Sequence, residues 1–328
     1  MGLLVLAFIV AAVVYRDIPA AELEAKYATG ASKFIDIDGV RMHYRDEGSG
    51  PPVVLFHAHF ASLIGFDAWA DALKAHHRVL RFDIPSHGLT GADPSGDYSI
   101  ERTIELTELF LEKMGVDKVS LGGTSMGGTM ALHFASRHPE RVEKLVLLSP
   151  GTLEGPEKMK KYKKRLGPSA ELFTFITPRF MPKFMLEKGF GEGNPVPPEL
   201  VDRWHQMWML EGQRSAELAR LRQYDGGDPD KLLASITTPT LLLWGEDNTT
   251  APIEQADHMV AAMKNVKSLK RINYPGVGHM AVQQAGARIV KDVIPFLAEA
   301  PEPAPTAEAV EAPVVDGEAA PEAPSAQL

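Results

Sequence analysis

The sequence contains no cysteine. That one absence excludes disulfides, thiolate chemistry, cysteine-ligated zinc and a lipoprotein anchor, and it leaves the redox compartment open. Concentrated positive charge is missing too. The formal net charge is −9, from 34 Lys and Arg against 43 Asp and Glu. Seven of the acidic residues lie in the stretch 299–328, which has no Lys or Arg, so removing them from −9 leaves about −2 for the rest. A near-neutral body argues against a nucleic-acid partner, which needs dense Lys and Arg. An apolar run long enough to span a bilayer is also lacking at the N-terminus. Residues 2–15 are apolar, closed by Arg16 and Asp17, but as a helix they reach only roughly 22 Å against a hydrocarbon core of ~30 Å. The run has neither a basic flank before it nor a clean small-x-small cleavage site. A buried helix is the bland alternative; residues 1–16 read better as an N-terminal membrane anchor or uncleaved signal.

What is present fits a globular enzyme. Apolar residues make up 45% and charged residues 23% of 328 positions, enough for a sizeable core. Residues 34–46 read as a hairpin turning at Asp38-Gly39. Strand patterns at 53–57, 78–83, 118–122 and 142–148 then alternate with helical ones at 66–76, 99–114 and 127–137. Such alternation implies right-handed βαβ units and a mostly parallel sheet with helices on both faces. It breaks at 151–231, a Met-, Phe- and Trp-rich stretch of Pro-interrupted helical pieces that reads as an inserted cap. It resumes with strands at 240–244 and 269–274 and helices at 253–263 and 281–297. The core is thus expected in two parts, 34–150 and 232–298. The Ala-, Pro- and Glu-rich tail 299–328 has no periodicity and reads as disordered.

The segment that carries chemistry is Gly123-Thr124-Ser125-Met126-Gly127. It matches G-x-S-x-G between a strand and a helix, where a nucleophilic serine must sit on a sharp turn. Gly123 and Gly127 are needed sterically, because side chains there would collide with the neighbouring strand and helix. Serine requires a base, held in turn by a carboxylate, in chain order Ser, acid, His. Among eleven histidines, His279 alone follows the resumed sheet, in the loop Pro275-Gly276-Val277-Gly278-His279. Asp247, after the strand at 240–244, is the expected acid, with Glu246 as the fallback; a helix cap before Pro252 is its bland alternative. The expected oxyanion donors are the backbone amides of Met126 and His59. As the base, His279 predicts a rate that rises with pH near ~6.5.

His57-x-His59 could suggest a metal site, but no third ligand follows nearby, and catalytic zinc needs about three; no metal is expected. The loop containing Asp83, Pro85, His87 and Gly88 reads as a brace for the nucleophile's surroundings. The cap's Phe173, Phe175, Phe180, Met181, Phe184, Met185, Trp204, Met207, Trp208 and Met209 read equally well as plain helix core or as the lining of an acyl pocket.

With these segments in view, residues 34–297 resemble the α/β-hydrolase superfamily, and within it the membrane-anchored bacterial lipases and esterases similar to monoacylglycerol lipases. The likeness rests on R-M-H-Y-R-D-E-G, F-D-I-P-S-H-G-L-T-G, D-Y-S-I-E-R, G-T-S-M-G-G, H-P-E-R-V-E-K-L-V-L-L, W-G-E-D and G-V-G-H-M. It implies ester hydrolysis by Ser125, Asp247 and His279, no cofactor, an apolar ester as small-molecule substrate, and membrane association with the periplasmic face favoured. The chain departs from the pattern at Ala58, where members carry Gly; the extra methyl is expected to reshape or narrow the oxyanion hole. Two other readings stay open: a C–C bond hydrolase of ring-cleavage diketones, and a binding protein that keeps the fold after catalysis has decayed.

Overall fold

The computed structural model describes residues 14–151, 160, 163 and 166–299. The apolar stretch 2–13, most of 152–165 and the tail from 300 onward lie outside the described residues. Among those described, no helix is long and apolar enough to cross a membrane.

Helix α1 (Ala20–Tyr27) precedes a hairpin of β1 (Ser32–Ile37) and β2 (Val40–Glu47). Its turn is Asp38-Gly39, with φ of 50° and 81°; two positive φ values give the turn whose twist matches paired strands. The chain then runs β3 (Pro52–Phe56), α2 (Asp67–Leu73), β4 (Arg78–Phe82), α3 (Ile100–Lys113), β5 (Val119–Thr124), α4 (Met126–Arg137) and β6 (Val142–Leu148). Ser99 starts α3 by accepting the Arg102 amide at 3.1 Å, the usual way to satisfy a free helix-end donor. Helices α5 (Leu172–Phe175), α6 (Phe180–Gly189), α7 (Pro198–Trp208), α8 (Gln213–Gln223) and α9 (Pro229–Ser235) follow before the sheet resumes. It closes with β7 (Thr240–Gly245), α10 (Ile253–Ala262), β8 (Leu269–Tyr274) and α11 (Ala281–Ala298).

The eight strands lie in the order β1-β2-β4-β3-β5-β6-β7-β8. The pairings of β1 with β2 and β2 with β4 are antiparallel, and all the others are parallel. Alternation along the buried strands divides the core in two. Val54, Phe56, Leu145, Leu147, Leu242 and Trp244 face the helices α3, α4, α9 and α10. Val53, Leu55, Val146, Leu148, Leu241 and Leu243 face α2 and α11. Both faces are covered, so these strands read as continuous apolar runs.

The cap divides its apolar residues more finely than composition could. Trp204, Met207, Trp208 and Met209 are buried, Phe173, Met181 and Met185 pack partly against them, and Phe175, Phe180 and Phe184 are exposed. Two of the boundaries that differ from those read in the sequence bear on the site. Strand β5 runs on to Thr124, one residue short of Ser125, so Ser125 stands at the carboxyl end of a central strand. The expected end of the cap at residue 231 falls inside α9, whose Leu232 and Leu233 belong to the sheet core.

Candidate active site

Strand β3 lies between β4 and β5, so the chain departs to opposite sides there. At such a reversal a crevice opens beyond the carboxyl ends of the strands. Ser125 stands at its floor with φ 50° and ψ −120°, a strained turn for a side chain-bearing residue. Its amide donates to Leu148 O at 3.1 Å, and its carbonyl accepts from Gly151 N at 3.1 Å. A Cβ on Gly127 would overlap the Phe56 carbonyl, and one on Gly123 would overlap the Gly127 carbonyl. Both glycines are therefore fixed by close backbone approach. Gly151, which the sequence did not single out, lies beside the nucleophile position without crowding it: a Cβ there would meet Ser125 Oγ and Met126 N at an ordinary 3.8 Å.

His279 follows β8 on a loop that turns at Gly276, φ 73°. Its Nε2 lies 2.9 Å from Ser125 Oγ. The loop is held from the cap side, where Met280 N donates to Gly189 O at 2.7 Å and Gln284 Oε1 accepts from both Gly191 N and Gly278 N at 2.9 Å. The ring is buried, and burial lowers its pKa from the ordinary value to about 4. No carboxylate opposes that shift.

The residue beside the imidazole is not the one expected as the acid. The side chain beside His279 Nδ1 is Asn248, whose Nδ2 lies 3.1 Å away. Asp247 makes no ion pair with His279 among the described residues; its amide donates to Val277 O at 3.0 Å and its side chain lines an open hollow with Glu187, Lys188 and Glu246. Glu246, the fallback, is exposed. The reason is local. Strand β7 ends at Gly245, and a tight turn brings Asn248 N back to Gly245 O at 3.4 Å. In that turn Asn248 is buried and Asp247 half-buried. Asn248 Oδ1 also caps the following turn, accepting Thr250 N at 3.1 Å and Ala251 N at 2.8 Å. An Asn two to three residues before such amides is a recognisable turn signal, and it is what could have drawn attention to this position.

The amides of His59 and Met126 donate to no protein acceptor among the described residues, which leaves both free for a developing oxyanion. Ala58 does not take a positive φ; that role falls to Phe60, at 62°. Ala58 is buried in the cluster that includes Leu186, Trp208 and Met280.

His57 is a brace rather than a ligand. Its Nδ1 donates to Ala58 O at 2.8 Å and its Nε2 accepts from Ile84 N at 3.0 Å; burial keeps its pKa below the ordinary value. Asp83 anchors the neighbouring loop, accepting Leu63 N at 2.7 Å, Leu89 N at 2.8 Å and His43 Nδ1 at 2.7 Å. Burial would raise its pKa, but His43, His57 and these amides outweigh it and hold the carboxylate ionised.

The third partner missing from the sequence around His59 comes from the cap. Glu217 on α8 hydrogen-bonds His59 Nε2 and lies 3.3 Å from His87 Nε2. His59, His87 and Glu217 are the side chains among the described residues whose ligand atoms approach within 4.8 Å of one another and could hold a metal. Arg220, one turn further along α8, donates to Ser86 Oγ at 2.8 Å and to Pro85 O at 2.7 Å, and Ser86 Oγ in turn donates to Glu217 at 3.2 Å. The guanidinium thus balances the Glu217 carboxylate with no ion needed. Neither Glu217 nor Arg220 carried any local signal, because their partners lie over a hundred residues away in the chain.

A serine at a strand–turn–helix elbow with an imidazole 2.9 Å away is the arrangement against which known proteins can be compared. The α/β hydrolase fold family matches residues 51–284. The chain belongs to that family. It is 27% identical over 263 residues, 75% of this chain and 89% of the relative, to a 2-hydroxy-6-oxononadienedioate/2-hydroxy-6-oxononatrienedioate hydrolase of Cupriavidus pinatubonensis. Among solved structures, a thermophilic esterase from Thermogutta terrifontis superposes with a TM-score of 0.70 at 24% identity, covering 82% of this chain and 98% of that one. A membrane phospholipase A described as a bacterial virulence factor has a TM-score of 0.70 at 23% identity, covering 90% and 96%. The last two are likenesses of fold.

Proposed function

We propose that this α/β-hydrolase cleaves carboxylic esters with apolar acyl groups through an acyl-enzyme on Ser125. The observation that carries the reading is the 2.9 Å approach of His279 Nε2 to Ser125 Oγ at an elbow whose following amide, Met126, is free. Ser125 Oγ bonds to the ester carbonyl carbon; His279, in the tautomer that leaves Nε2 without a proton, takes the hydroxyl proton and passes it to the departing alcohol, and water then releases the acid. The amides of Met126 and His59 stabilise the oxyanion, an interaction whose loss typically costs about 10²–10³ in rate. The cap supports an apolar acyl group, since Ala61, Leu186, Trp204, Trp208 and Met280 cluster beside the oxyanion loop. The N-terminal apolar run supports attachment to a membrane, which deletion of residues 1–16 followed by sedimentation with vesicles tests.

A second reading, hydrolysis of a C–C bond in a ring-cleavage diketone, is favoured by the sequence relatives, whose names describe that chemistry. A fluorophosphonate probe applied to the protein and to Ser125→Ala tests the activated serine common to both readings; labelling only of the unsubstituted protein is expected. A p-nitrophenyl ester series set beside a vinylogous diketone then separates them, with faster turnover of the esters expected.

A further inference from the structure

We infer that Asn248 holds His279 in the tautomer that carries its proton on Nε2, so that in the resting protein the imidazole donates to Ser125 instead of accepting from it. The inference rests on the proposed role of Ser125 and makes Asn248 a positioning residue that governs the reaction there.

The argument is one of donors and acceptors. Thr250 N and Ala251 N can only donate, and both point at one atom of the Asn248 amide, at 3.1 and 2.8 Å. That atom is therefore the carbonyl oxygen. The NH2 group is left facing His279 Nδ1 at 3.1 Å, and it too can only donate. Nδ1 must then offer its lone pair, which puts the proton of the neutral ring on Nε2. Nε2 lies 2.9 Å from Ser125 Oγ, so the serine receives a hydrogen bond where a general base should present a lone pair.

Moving the proton to Nδ1 would set it against the Asn248 NH2, donor against donor. Turning the amide over would relieve that contact and break both backbone bonds, leaving two amides at the turn without their acceptor. No other group corrects the tautomer. Glu246 is exposed, the side-chain partners of the ring among the described residues are Asn248 and Ser125 rather than Asp247, and His279 forms no ion pair with any described residue. When the carboxylate of a Ser-His-Asp set becomes an amide and the geometry is kept, turnover falls by about 10⁴ because the tautomer is wrong.

The consequence reaches the kind of ester the site turns over. An activated ester with a good leaving group can acylate Ser125 with little help from a base, but water attacking the acyl-enzyme needs one. The unsubstituted protein should release about one leaving group per site in a burst and then proceed slowly. Asn248→Asp would accept a hydrogen bond from Nδ1–H, although its carboxylate still faces Thr250 N and Ala251 N.

The test compares full-length protein with Asn248→Asp by fluorophosphonate labelling, p-nitrophenyl ester kinetics and ¹⁵N NMR of the His279 ring, with melting temperatures checking that both fold. Expected are an Nε2–H ring in the unsubstituted protein, an Nδ1–H or doubly protonated ring in the variant, and a steady-state rate raised by about 10²–10⁴ with the burst lost. Equal rates and equal bursts in two proteins that both label at Ser125 overturn the inference and leave the hydrolase reading standing. No labelling in either protein, with the Nε2–H ring still seen, overturns the hydrolase reading and leaves the tautomer assignment standing. If the variant does not fold, the ring's own spectrum in the unsubstituted protein decides: an Nδ1–H ring overturns the inference.

Discussion

Lowering the pH tests the environment of His279 directly. Burial without a carboxylate partner puts its pKa at about 4, against an ordinary value of about 6.5. At pH 5.5 an ordinary histidine would be about 9% neutral, whereas this one stays about 97% neutral. The difference corresponds to roughly 3 kcal/mol favouring the neutral ring in the folded protein. The sign follows from linkage. Because the folded pKa lies below the unfolded one, His279 leaves stability intact above about pH 6.5 and weakens it as pH falls toward about 4. The same burial governs reactivity, so the rate of serine labelling by a fluorophosphonate should be level from about pH 8 down to 5 and fall only near 4. The sequence by itself suggested a rise near ~6.5, the value of an unperturbed imidazole. The assay is the second-order labelling rate between pH 3.5 and 8, with circular dichroism at each pH to confirm that the protein is folded. Asn248→Asp should move the fall upward, because a carboxylate favours the imidazolium. A limb near 6.5 in the unsubstituted protein would refute the reasoning, since it requires solvent or an anion beside the ring.

Three further outcomes follow from the geometry. Asp247→Asn should change labelling and ester turnover by less than about threefold, because the side-chain partners of His279 among the described residues are Asn248 and Ser125 and changes away from such contacts usually cost under about 0.5 kcal/mol; a loss beyond about a hundredfold in ester kinetics would return it to the reacting set. Ala58→Gly should leave kcat within about threefold and lower the melting temperature by a few degrees, since the methyl is packed and φ there is not positive while added glycine freedom costs about 0.5–1 kcal/mol. Gly127→Ala should abolish soluble folded protein or lower its stability by at least about 3 kcal/mol, because the new Cβ would overlap the Phe56 carbonyl; thermal melting checks this.

The fold was legible because its signals are local and repeated. Strand patterns at 142–148 and 269–274 coincide with β6 and β8, and Asp38-Gly39 marks its turn by the positive φ that both residues adopt. The elbow was legible because two glycines must flank a residue in that conformation. Sequence order also sufficed to bring His279 to Ser125, since loops after successive parallel strands emerge on one edge of the sheet. It could not say which residue after β7 faces the imidazole. Glu246, Asp247 and Asn248 are adjacent in the chain, and the chemistry of a triad recommends a carboxylate. A single bond from Asn248 N to Gly245 O sets the turn that chooses the amide. Nor could the sequence place Glu217 and Arg220 beside His59, His87 and Ser86, because cap and core meet through contacts that leave no periodic trace. Periodicity and short motifs therefore determined the sheet, the elbow and the order in which Ser125 and His279 occur. Which side chains point inward, and so which protonation state the histidine holds, was decided only by the tertiary structure, because orientation at a turn depends on hydrogen bonds between segments distant in the chain.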